Sequence, residues 1–129
     1  MSRVPKYRAW YKPKGVMIEP ENLVMINFDT KVLGVYMEMD GKGYHVLRMS
    51  DFELMEYTGL KDKNEREIYP GDIPRDPTGI GEIEWVQEHC AYMVFTKNPS
   101  KYHHLESDGK LLHTEIIGNI YENPELLEV

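Results

Sequence analysis

Turn residues cut this chain at short intervals, and that spacing limits what it can build. "KPKG" (12–15), "DGKG" (40–43), Lys63 with Asn64, Pro70 with Gly71, "RDPTGIG" (75–81) and "SDG" (107–109) separate short apolar runs. Many short strands joined by turns predict a compact, mainly β fold with a minority of short helices. No heptad, no low-complexity tract and no repeat of 20–50 residues competes with that reading.

The runs themselves read as strands. "KYRAWY" and "VMI" flank the turn at Pro13 and Gly15, with Tyr7, Ala9 and Tyr11 on one face and Lys6, Arg8 and Trp10 on the other. Residues 22–28 and 31–39 follow. Asp40 and Gly41 signal a hairpin because both tolerate positive φ, and 44–49 returns from it. Ser50 and Glu53 have capping-box spacing, yet Gly59 leaves barely two turns for a helix, so 52–57 is assigned as a strand. "GEIEWVQ" (81–87) sets Ile83 and Trp85 apart from Glu82 and Glu84, and "AYMVFT" (91–96) pairs back. Residues 71–96 look like part of an SH3-like barrel.

Helical signals are few. Asn98 before Pro99 predicts a short helix, then a turn at 107–109 and a strand over 110–117. Asn123 as N-cap, Pro124 at the first helical position and Glu125 in the first turn predict one helical turn over 124–128. The whole is one domain, 1–129, with 1–56 and 57–129 as candidate subdomains.

Composition narrows the function classes. Tyr is abundant (9) and Phe scarce (3), which suits half-buried sheet surfaces. The single cysteine, Cys90, excludes an intrachain disulfide and fits a reducing cytosol. No apolar run approaches the roughly 18 to 20 residues of a membrane span, and the basic N-terminus lacks the apolar segment of a secretory signal. A cytoplasmic protein is therefore expected. The net charge of −7 is unevenly placed. Residues 1–18 carry +5 and no acid, whereas the remainder holds 10 Lys/Arg against 22 Asp/Glu.

Three stretches carry a resemblance. "KYRAWYKPKGVM" (6–17), "YTGLKDKNEREIYPGDI" (57–73) and "IIGNIYENPELL" (116–127) resemble, in order, the hallmark blocks of the YopX family. The resemblance implies a mostly β protein of phage or prophage origin in the bacterial cytoplasm, in a family without an assigned activity. It brings no catalytic residues. Within the blocks Gly59, Gly71, Asp72, Gly118, Asn119, Tyr121, Asn123 and Pro124 are expected to be structural. Two positions depart from the family pattern. Glu65 replaces the Gly that usually follows Asn64, so the hairpin tip should use a turn other than type I′. Pro74 lacks an amide donor, so its strand should lie at an edge or be interrupted.

Chemistry-bearing clusters are weak. Gly79 and Gly81 precede a strand, not the helix a phosphate loop requires. His89, His103, His104 and His113 with Cys90 lack paired zinc-ligand spacing, and Cys90 beside His89 has no third orienting group, so a buried or inert thiol is expected. Glu82 and Glu84 read as a solvated face. No metal, cofactor or catalytic residue is expected. The best binding candidate is the N-terminal hairpin, where Arg8, Lys12 and Lys14 interleave with Tyr7, Trp10 and Tyr11, a composition suited to stacking bases beside neutralised phosphates. The plainer alternative is that these residues serve the sheet and offset the acidic remainder. The expectation is a non-enzymatic binding module for a host or phage protein. Weak nucleic-acid binding by the hairpin is the alternative, with self-association open and no membrane partner.

Overall fold

The computed structural model describes residues 6–97, 100–105 and 111–128. The chain divides into two compact units, Met1–Glu56 and Tyr57–Val129. Among the described residues every regular element is an antiparallel strand or a short 3-10 turn, and no helix is long and apolar enough to cross a membrane.

The first unit holds two three-stranded sheets. β1 (Tyr7–Tyr11) lies between β2 (Val16–Ile18) and β6 (Phe52–Glu56), while β4 (Val32–Met39) lies between β3 (Leu23–Asn27) and β5 (Lys42–Arg48). Their core is Ala9, Tyr11, Ile18, Leu33, Val35 and Phe52, with the rings of the cross-strand partners Tyr11 and Phe52 tilted against each other at 4.9 Å. Leu33 and Val35 alternate inward along β4, which sends Gly34 and Tyr36 to the opposite face. Asp40 and Gly41 both adopt positive φ (55° and 74°), the requirement of the two-residue turn joining Met39 to Lys42. At the Ser50–Glu53 capping-box positions the chain makes one 3-10 turn, Met49–Asp51, and then enters β6, as expected for 52–57.

The second unit is a five-stranded sheet in the order β10-β9-β8-β7-β11. Its strands are β7 (Asp72–Asp76), β8 (Gly79–Val86), β9 (Ala91–Lys97), β10 (Ser100–His104) and β11 (Glu115–Asn119). Ile68, Ile83, Val94, Leu105 and Ile116 form its core. Mainly β architecture with antiparallel pairing therefore holds. The expected barrel does not close, because β10 and β11 stand at opposite ends of the sheet.

Several local expectations are corrected. The turn-residue stretch 75–81 is mostly strand: β7 and β8 form a tight hairpin with only Pro77 and Thr78 between them. The helix predicted after Asn98 is instead β10, paired with β9 from Ser100↔Lys97 to His104↔Met93. The Asn98-Pro99 start signal lies outside the described residues, as does the turn at 107–109. The strand predicted at 110–117 begins only at Glu115, after a 3-10 turn over 111–113. Pro74 sits in an internal strand rather than at an edge, but the ladder from β7 to β8 covers only Arg75 and Asp76, so the strand is interrupted beside it.

Candidate binding face

The six hairpin residues do not form one surface. Arg8 is only 5% exposed, and its Nε donates to Met55 Sδ at 3.3 Å across the β1–β6 pair. Tyr11 is in the core. Lys12 pairs with Glu53 at 3.7 Å, Lys14 is exposed in the turn, and Tyr7 and Trp10 are half-buried. The indole of Trp10 lies over Gly15, whose positive φ (63°) closes the turn. Alternation therefore misplaces Arg8, because an arginine stem can be covered by apolar neighbours while its head finds an acceptor. Burial of Arg8 and Tyr11 removes two of the groups that a stacking and phosphate-neutralising site needs.

A different surface of the first unit collects exposed aromatic area. Tyr36 on β4 faces Tyr44 on β5, with ring centroids 5.3 Å apart, and Val46 is the next outward residue on β5. Tyr36, Tyr44 and Val46 are 53%, 43% and 54% exposed. Gly34 makes this arrangement, since a Cβ there would collide with Tyr44 Oη. The sequence reading missed this face. A bulge in β4 between Tyr36 and Met39 shifts the register, so counting back from the Asp40–Gly41 turn sets Met37, not Tyr36, opposite Tyr44.

The two glycine-rich blocks build structure. Pro70 and Gly71 (φ 89°) occupy the central positions of a type II turn closed by Asp72 N–H to Tyr69 O (3.1 Å), and Asp72 Oδ2 accepts from Tyr69 N–H (2.8 Å). Asp62 Oδ1 accepts from the amides of Asn64 (2.8 Å) and Arg66 (2.9 Å), while Glu65 takes the positive φ (66°) of a three-residue tip. The tip is thus not type I′, as the Glu65 departure predicts. Gly59 also has positive φ (86°).

In the tail block, Asn119 Oδ1 accepts from Tyr121 and Glu122 N–H at 3.0 and 2.8 Å. A Cβ at Gly118 would lie 2.9 Å from Asn123 Cγ, and one at Gly71 would lie 3.0 Å from the Tyr121 ring. Pro124–Leu127 is a 3-10 turn packed against β8. Asn123 is not its side-chain cap. Its Oδ1 accepts instead from Asn119 N–H at 3.2 Å.

One cluster has residue types used in catalysis. Asp76, buried to 2% side-chain exposure, accepts from Thr78 N–H (2.7 Å) and Thr78 Oγ1, and its Oδ2 lies 3.2 Å from His103 Nε2. Thr78 Oγ1 approaches that same ring nitrogen at 3.4 Å, and the other, Nδ1, faces His104 O at 2.9 Å. A relay needs the carboxylate and the hydroxyl on opposite nitrogens. The cluster instead pins the β7–β8 turn to β10. Cys90 is exposed, not buried, in a left-handed residue after the Gln87–His89 turn. Among the described residues no three His, Cys, Asp or Glu side chains group as metal ligands.

A family model described as YopX protein matches residues 6–128. Two solved structures are similar in fold. Protein EF1440 from Enterococcus faecalis is 25% identical, with a TM-score of 0.60 and coverage of 98% of this chain and 100% of its own. Protein yopX from Bacillus subtilis is 18% identical, with a TM-score of 0.60 and coverage of 95% and 98%. No curated protein matches the chain.

Proposed function

The chain belongs to the YopX family, and from that premise we propose that it is a phage- or prophage-encoded binding module that acts on a host or phage protein in the bacterial cytoplasm without chemistry of its own. The observation that carries this reading is the side-by-side exposure of Tyr36, Tyr44 and Val46 on one sheet face. Exposed aromatic side chains present large contact area at low conformational cost and are enriched in protein interfaces. The acidic balance of the chain favours a protein over a polyanion.

The test is capture from nuclease-treated host lysate by the intact chain and by a Tyr36→Ala/Tyr44→Ala/Val46→Ala variant. A partner held by the first and lost by the second, with unchanged melting temperature, supports the reading. Retention by both, or dependence on intact nucleic acid, contradicts it.

A further inference from the structure

Beside the tyrosine pair the first unit has a shallow pocket of about 650 Å³, lined by Asn22, Tyr36, Met37, Glu38, Gly43 and Tyr44. Both tyrosines line it, with their rings inclined to each other at 58°. Glu38 lies at its wall, with Oε1 3.1 Å from the point where a Cβ on Gly43 would sit. The carboxylate thus stands close beside Gly43. Glu38 is exposed and forms no ion pair or hydrogen bond among the described residues.

Each of these groups favours positive charge. A ring face is the negative end of the aromatic quadrupole, and the carboxylate is a full negative charge. Among cations, a guanidinium suits the site better than an ammonium: it is planar, weakly hydrated, stacks on aromatic faces and donates in a fork to a carboxylate. The first unit is balanced, with eight Lys/Arg against eight Asp/Glu, so the preference for a cation comes from the pocket itself, and the net charge of −7 on the whole chain disfavours acidic segments.

We propose that this pocket takes the guanidinium of an arginine on a basic segment of the partner protein. The inference rests on the docking face of the proposed function and adds the chemistry it selects. Lys42, two residues before Tyr44 on the same side of β5, is a competing cation on that strand.

The test is an NMR titration of the full chain with the blocked peptide acetyl-Gly-Arg-Gly-amide and its citrulline isostere, which keeps shape and loses charge. Saturable shifts at Tyr36, Gly43 and Tyr44 are expected with arginine, and about fivefold weaker binding with citrulline. Tyr36→Leu and Glu38→Gln should each weaken the arginine peptide by a similar factor, while Lys42→Ala should not weaken it. Equal affinity for both peptides overturns the arginine inference but leaves the docking face standing. Absence of saturable shifts at these residues, or unchanged affinity in Glu38→Gln, also overturns it. Self-association of the chain that Tyr36→Leu abolishes would make a second copy the occupant, and would overturn it too.

Discussion

The backbone N–H of Ile116 donates to Asp62 Oδ2 at 2.9 Å, joining residues 54 positions apart. Beside it the N–H of Lys63 donates to Thr114 O at 2.9 Å. One buried carboxylate, 5% exposed as a residue, therefore organises the hairpin tip with one oxygen and holds the last strand with the other. Farther along, the Gly71 carbonyl accepts from Ile120 N–H at 2.8 Å and the Tyr121 ring lies over Gly71. The blocks 57–73 and 116–127, distant in sequence, are two halves of one lock.

Asp62→Ala removes the acceptor of three amides, one of them deep in the unit. Charge-assisted bonds to buried donors are worth about 1.5–3 kcal/mol each and do not add simply. A loss on the order of 3 kcal/mol is expected, read as a lower urea midpoint with an unchanged slope. An unchanged midpoint would remove Asp62 from the lock.

Gly71→Val meets two obstacles, a φ of 89° and the Tyr121 ring 3.0 Å from the new Cβ. A destabilisation of about 1–3 kcal/mol should follow. Gly71→Asn tolerates the left-handed region better, although its Cβ meets the same ring, and should cost less than Val. Equal melting temperatures for wild type and Val would show that this position is unconstrained.

At the basic hairpin the structure separates its cations. Arg8→Ala should lower stability by about 1–3 kcal/mol, because a buried side chain and its contact with Met55 are lost. Lys12→Ala and Lys14→Ala, on exposed side chains, should stay within about 0.5 kcal/mol. The intact chain should show no saturable binding to single-stranded DNA near 50 mM salt. Binding that weakens when Lys12 and Lys14 are both replaced by Ala would restore the nucleic-acid reading.

Asp76→Ala releases Thr78 and His103 together and should cost on the order of 2 kcal/mol. A greater acceleration of amide hydrogen exchange in β10 than in β9, each measured against the unaltered chain, would locate the loss at the pin. Uniform change across the second unit would mean that the cluster does not hold β10 specifically.

What the sequence made legible was local. Positive φ at Asp40 and Gly41, the Pro70–Gly71 turn braced by Asp72, and the unusual tip at Glu65 all follow from what two or three neighbouring residues can adopt. What escaped depends on partners far along the chain. β10 was masked by a good helix start because only pairing with β9 decides the matter. Trp85 shares a parity with buried Ile83 yet is exposed, resting edge-on against Tyr92 at 5.0 Å. The tyrosine face was hidden by one bulge, which alternation cannot reveal.

The central claim is that the two blocks close the second unit on itself rather than forming a recognition site. Tyr121, Leu126 and Leu127 are half-buried, and the turn that carries both leucines packs on β8. Half of the roughly 1.5–3 kcal/mol of a fully buried side chain, over three residues, gives about 2–4.5 kcal/mol. Thermal unfolding of the chain truncated after Gly118 measures this directly. A large fall in melting temperature, or insoluble protein, is predicted. A truncated chain with an unchanged thermal transition would contradict the lock and make the tail available as an exposed motif.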